Sequence, residues 1–525
     1  MRLPRASGLL LHPTSLPGRF GIGDLGPEAH TFARFLAETG QRWWQILPLG
    51  PTGYGNSPYQ SYSSHAGSTL LISPENLVAD GFLDETDLAD YPNLSEARVE
   101  FEEVADAKEM VLRRAFQRFP AQHPEIQAFV QANRDWLDDY ALFMAIKRSR
   151  GGAAWYDWGP ELSARSPEAM ERAKAALVDE IRYHQFGQYL FSRQWKALRE
   201  RCAELQIGLI GDLPIFVAQD SVDVWARPEL FQLDERGHPL VVAGVPPDYF
   251  SETGQLWGNP LYQWNAHAEE RFAWWIARLR SVLARVDLVR LDHFRGFEAY
   301  WEIPAGSETA ATGRWALGPG IAFLDAMREG LGGLPIIAED LGDITPEVEA
   351  LRDRFELPGM KVLQFGFGGD PGTSIHLPHQ YQNHCIAYTG THDNETSVGW
   401  FYTTRVESTQ TPEQIALERA FALRYLGTNG EEFHWDLIRI AQASVADTVI
   451  IPLQDVLGID SSGRMNTPGV AEGNWTWRYQ ASQLDPRASA RLAEMTALYA
   501  RWNGPKSPAT GSPQREVLEA PVLGR

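Results

Sequence analysis

The chain has 525 residues, and its 44% hydrophobic and 22% charged content is that of a soluble globular protein with ample core, built as several domains or as one large scaffold with long insertions. With 47 Lys+Arg against 68 Asp+Glu the formal charge is -21, which repels a phosphate backbone and argues against nucleic acid as a partner. Two cysteines, Cys202 and Cys385, make no disulfide framework and fit a reducing compartment; the apolar run Leu9 to Leu11 is too short for a secretion signal and no stretch approaches a membrane span, so a cytoplasmic protein is expected.

In chain order, the first apolar run is SGLLLHP (7–13). PEAHTFARFLAETG (27–40) follows, with Phe32, Phe35 and Leu36 at helical spacing and Gly40 as a stop. RWWQILPL (42–49) is the second run. Residues 50–206 are then rich in helical pattern and read as a mainly helical inserted subdomain, which ends at the third run, IGLIGDLPIFV (207–217). A second long connection, 218–268, reads as a loop-rich insertion and carries GVPPDYFSETGQLWGNPLYQW (244–264). ERFAWWIARLRSVLARV (270–286) reads as a helix leading into VDLVRLDHF (286–294), the fourth run. LPIIAEDLG (334–342) is the fifth, and TPEVEALRDRF (345–355) opens a helix with Thr345 as cap and Pro346 at its first position. MKVLQFGF (360–367), CIAYTGTHD (385–393) and DTVIIPLQDVLG (447–458) complete eight.

Runs that are continuously apolar, not alternating, predict strands covered on both faces. Eight strand–helix alternations predict an α/β fold of the TIM (β/α)8 barrel type. On this reading residues 1–503 form the barrel, with the helical and loop-rich insertions on the C-terminal face where active sites are built. The Pro-, Ser- and Gly-rich end, 504–525, is expected to be a flexible tail.

Three runs end in acids: Asp292, Glu339 and Asp393. In a barrel all three gather at the C-terminal mouth. Strand alternation puts Arg290 and Asp292 on one face against Leu291, Ile337 and Glu339 against Ala338, and Thr391 and Asp393 against His392. Carboxylates crowded into an enclosed mouth raise one another's pKa, while Arg290 keeps a neighbour anionic. One neutral acid and one anionic carboxylate is the division that glycosidic bond cleavage needs. Aromatic residues in Gly-, Pro- and Asn-rich loops (50–65, 244–264, 472–478) suit ligands with an apolar face and a hydroxyl rim, as sugars have. Clustered acids and histidines also serve metals, but no HExxH, paired-Cys or EF-hand spacing occurs, so no metal site is expected.

The segments RLDHFRG, IAEDLG, GTHDNET, GDLPIFV, LLLHPTSLPG, GNSPYQS and RMNTPG, spread over nearly the whole chain, together resemble the amylomaltases. These are 4-α-glucanotransferases of the α-amylase-related glycoside hydrolases. The resemblance implies Asp292 as nucleophile, Glu339 as general acid/base and Asp393 as transition-state stabiliser. It implies sugar contacts at Arg290, His392, Asp212 and Tyr59, and also at Gln255, Trp257 and Asn466. Tyr249 and Phe250 match a mobile aromatic loop over the cleft, and Tyr54 a second, remote glucan contact. Gly368 stands where such enzymes often have an aspartate, so a sugar contact there would pass to Asp370. The implied partners are α-1,4-glucans and malto-oligosaccharides, handled by a monomer or homodimer, and no cofactor is implied. The same carboxylates would serve an α-1,4-glucan hydrolase of amylase or debranching type.

Overall fold

A computed structural model of the chain describes residues 2–119, 123–247, 251–402 and 410–504. Its strands in chain order are β1 (Ala6–Leu10), β2 (Trp43–Gln45), β3 (Gly208–Pro214), β4 (Val241–Val245), β5 (Gln255–Pro260), β6 (Leu288–Asp292), β7 (Ala299–Pro304), β8 (Arg314–Leu317), β9 (Ile336–Ala338), β10 (Gly359–Val362), β11 (Cys385–Tyr388) and β12 (Thr448–Pro452). Eight of them form one parallel sheet in the order β10-β11-β12-β1-β2-β3-β6-β9. The Ala338 N–H donates to the Pro358 carbonyl at 2.9 Å, which brings the two edges together and leaves a nearly closed barrel. Each of the eight apolar runs overlaps one of these strands, β1 and β10 beginning one residue ahead of theirs.

The runs are apolar throughout because both strand faces are covered: β1, β9, β11 and β12 are buried at every residue. Trp43 fills the barrel wall between two glycines. A Cβ on Gly8 would lie 2.5 Å from the Trp43 Cβ, and one on Gly208 2.3 Å from its ring. Inside the barrel the Tyr388 hydroxyl donates to Gln45 Oε1 at 2.8 Å, satisfying both buried groups. At the opposite end from the mouth, Arg501 closes the chain onto the barrel. It is 1% exposed and donates to the carbonyls of Gln442, Ala6, Asp447, Ser444 and Ala446.

The outer helices follow their sequence signals, Pro27–Glu38, Ala273–Leu283 and Pro346–Arg354 among them. Between β2 and β3 lie helices Phe101–Arg118, Arg134–Ser149, Pro167–Ala176 and the 27-residue Val178–Glu204. Lys108, 1% exposed, ties this layer to the β1–β2 connection through Asp24 at 2.8 Å.

The stretch 218–268, read as loop, contains β4 and β5. They join β7 and β8, from the connection after β6, in an antiparallel sheet of order β5-β4-β7-β8. This second sheet has no strong alternation in the sequence. Gly244 and Gly258 interrupt the first two strands, and β8 is largely exposed. Its consequence is local: β5, carrying Gln255 and Trp257, is fastened to the chain that leaves Asp292.

Candidate active site

The mouth is built where β3 and β6 end together. Parallel pairing sets Asp212 opposite Arg290 and Pro214 opposite Asp292. Arg290 therefore reaches sideways to Asp212 Oδ2 at 2.7 Å and forward to Asp292 Oδ1 at 2.7 Å. Arg290 and Asp212 are both 4% exposed, whereas the Asp292 side chain keeps 27% of its surface. The strand phase expected for Arg290 and Asp292 is present, and it leaves the aspartate facing the opening with one oxygen ion-paired to the guanidinium.

Glu339 stands one residue beyond β9. Its Oε2 accepts the His293 N–H at 2.7 Å and its Oε1 the Leu341 N–H at 2.8 Å, so backbone donors fix the carboxyl plane. Burial raises the Glu339 pKa, opposed by the Arg290 charge and these two N–H groups. Burial pushes the Asp292 carboxyl up to about 8; Arg290 opposes this, while Asp212, Glu339 and Asp393 add to it. Two neighbouring acids that both resist ionisation favour keeping one proton between them.

Asp393 arrives differently from the expectation. β11 stops at Tyr388, so residues 391–393 are not in strand alternation. They form a turn in which Asn394 Oδ1 accepts both the Thr391 N–H and its hydroxyl at 2.8 Å. Thr391 is thus spent on the turn. His392, assigned by alternation to the other face, enters the mouth beside Asp393, its Nε2 3.3 Å from Asp393 Oδ2. Asn466 Nδ2 donates to Asp393 Oδ1 at 2.7 Å, and the Asn466 N–H to the His392 carbonyl at 3.1 Å. Asp455, which sequence reasoning passed over, anchors the turn from below: it accepts the Thr389 hydroxyl at 2.5 Å and the Ser397 N–H at 2.8 Å.

Tyr59 joins the two sides of the mouth. Its hydroxyl donates to Asp212 Oδ2 at 2.9 Å and lies 2.8 Å from His392 Nε2. With its own proton committed to Asp212, the hydroxyl must accept from His392, which sets the Nε2–H tautomer. Burial lowers the His392 pKa, so the ring is neutral. The Tyr59 ring also stacks on His392, centroids 5.3 Å apart at 13°.

The remaining expected residues lie around this centre. Trp257 donates Nε1–H to Gln255 Oε1 at 3.1 Å and sets its ring edge-to-face on His293, 4.9 Å away. Tyr54 stands 79% exposed, in the turn Tyr54–Asn56. Asp370 is exposed, and its side chain accepts the Gly372 N–H at 2.9 Å, a cap on its own turn. Tyr249 and Phe250 lie outside the described residues. Among the described residues, no group of three or more His, Cys, Asp or Glu is arranged to hold a metal ion, and no helix is long and apolar enough to cross a membrane.

Three carboxylates converge on a concave mouth with a guanidinium, a neutral histidine and aromatic walls, which is equipment for acid, base and nucleophilic work on a polyhydroxylated ligand. The family model described as 4-alpha-glucanotransferase matches residues 11–484. The chain belongs to the 4-alpha-glucanotransferase family.

The 4-alpha-glucanotransferase of Thermus thermophilus is 51% identical over 508 residues, covering 94% of this chain and 99% of that one. That of Synechocystis is 50% identical, over 95% and 98%. The amylomaltase of Streptococcus agalactiae, solved in complex with acarbose, superposes with a TM-score of 0.90 at 41% identity, covering 95% of this chain and 100% of that one. The Corynebacterium glutamicum amylomaltase shares the fold, with a TM-score of 0.78 at 19% identity over 95% and 75%. Family membership with these 4-alpha-glucanotransferases favours transfer over the hydrolase alternative.

Proposed function

We propose that the chain moves α-1,4-glucan segments from a donor malto-oligosaccharide or starch chain to a glucan or glucose acceptor by a retaining double displacement, with Asp292 as nucleophile. The observation that carries this reading is the unequal dressing of two acids in one mouth. Asp292 is ion-paired directly with Arg290 at 2.7 Å, which favours its charge, whereas Glu339 feels Arg290 only through its field and takes its hydrogen bonds from neutral backbone donors. In the sugar-bound site the charge therefore goes to Asp292 and the shared proton to Glu339.

Asp292 attacks the anomeric carbon while Glu339 protonates the departing glycosidic oxygen, giving a covalent glycosyl-enzyme. Glu339, now a carboxylate, takes the proton of the incoming hydroxyl as the ester breaks. A pair with these roles stands about 5–5.5 Å apart. Asp393, held by Asn466, stabilises the positive charge that develops at the anomeric centre. Arg290, His392, Asp212 and Tyr59 grip the sugar being transferred. Gln255, Trp257 and Asn466 contact it from the rim, Tyr249 and Phe250 belong to the covering loop, and Tyr54 to a remote glucan contact.

Transfer outruns hydrolysis when the acceptor is stacked and water is excluded, which is the work we assign to the aromatic rim. We further read the chain as cytoplasmic, consistent with two cysteines that are both buried and free, and as a monomer or homodimer. Incubation with maltotriose tests the reaction. Transfer yields glucose and longer malto-oligosaccharides at nearly constant reducing ends; a steady rise in reducing ends would mean that hydrolysis is the activity.

A further inference from the structure

His293 follows the proposed nucleophile directly, yet its side chain takes no part in the ion pairs of the mouth. Its backbone is left-handed, with φ 55° and ψ 50°, a conformation that costs a residue bearing a Cβ roughly 1–2 kcal/mol. That turn is what aims its N–H at Glu339 Oε2, 2.7 Å away. The next N–H, of Phe294, donates to the Glu339 carbonyl at 3.1 Å.

Backbone strain at a site persists only where the surroundings hold it, and here packing against the ring does so. The imidazole meets Trp257 edge-to-face at 4.9 Å and 84°. On another side it closes on Gly296, where a Cβ would come within 3.1 Å of the ring. Its Nε2 is buried without a hydrogen-bond partner, so at that atom packing, not a polar bond, holds the ring. Burial holds the ring pKa down to about 3, with Arg295 adding to the effect, so the ring is neutral and carries no charge to the mouth.

We propose that His293 is a positioning residue for Glu339: clamped by Trp257, its left-handed backbone keeps an N–H on Oε2 and so ties the rim strand β5 to the acid/base. This rests on the assignment of Glu339 as acid/base. An N–H donated to a carboxyl favours the anion, offsetting the push of burial and poising Glu339 between giving and taking a proton. The charged groups facing Glu339 are Arg290 on β6 and Asp340 beside it, with Asp292 across the mouth; the variants below alter none of them.

The test is the pH profile of kcat/KM on maltotriose, whose basic limb reports loss of the Glu339 proton. His293→Val makes the left-handed turn costly, whereas His293→Gly adopts it freely and removes only the ring. In the valine variant the basic limb rises by on the order of half to one pH unit, and kcat at pH 7 falls roughly 10- to 100-fold with KM within about threefold. In the glycine variant the limb stays within about 0.2 units of the parent. If the valine variant does not fold, Trp257→Ala carries the test: it raises the limb in the parent and does not move it in His293→Gly. An unmoved limb in both His293→Val and Trp257→Ala, or an equal rise in His293→Gly, overturns the proposal. Glu339→Gln, run alongside, separates the two claims, because a basic limb that survives there refutes the assignment of Glu339 itself.

Discussion

Replacing Asp292 by asparagine should stabilise the folded chain while removing the reaction, by an amount that grows with pH. The carboxyl sits at about 8 against an ordinary 3.8, chiefly through burial. The folded state therefore binds this proton more tightly than the unfolded state throughout the window between about pH 4 and 8. Stability contributed at this site is intact below the window and is lost as pH rises through it. Each unit corresponds to about 1.4 kcal/mol, so the whole gap is on the order of 5 kcal/mol. Part of this is not recovered in the variant. The Asp292 side chain keeps 27% of its surface, and Arg290 exchanges a carboxylate for an amide oxygen. A net gain of roughly 2–3 kcal/mol at pH 8, and little at pH 5, is expected. Thermal or urea unfolding of both proteins at the two pH values reads it directly. A variant no more stable than the parent at pH 8, or an advantage that shrinks as pH rises, would refute the reasoning.

Three further outcomes follow from the geometry. Trp257→Ala opens the rim strand and should raise the ratio of hydrolysis to transfer, measured as reducing ends against chain redistribution; an unchanged ratio removes the rim from acceptor selection. Asn466→Ala frees the Asp393 oxygen it now holds at 2.7 Å and should lower kcat about 10-fold with little change in KM, checked by steady-state kinetics on maltotriose. Arg501→Met leaves five buried carbonyls without their common donor and should cost about 3–5 kcal/mol in unfolding, while the activity of the folded fraction is unchanged.

The barrel was legible because parallel strands buried on both faces must be apolar at every position, and turn residues bound each run. The second sheet was not: Gly244 and Gly258 interrupt β4 and β5, and β8 is largely exposed, so neither a continuous run nor clean alternation marks them. Strand phase identified Arg290 and Asp292 as partners because both lie inside β6. The same reasoning failed at Asp393, where β11 has already ended and a turn held by Asn394 and Asp455 brings His392 and Asp393 inward together. His293 carried no sequence signal for its contact with Glu339, because that contact depends on a backbone dihedral and not on the type of side chain.

The central claim is that Asp292 becomes covalently attached to the transferred glucan. Glu339→Gln incubated with an α-maltotriosyl fluoride tests it most directly: fluoride leaves without the acid, and the intermediate then persists for want of the base. Mass spectrometry should find the maltotriosyl mass on the protein, and peptide mapping should assign it to Asp292. An adduct on any other residue, or turnover of the fluoride to product of inverted anomeric configuration with no adduct, would contradict it.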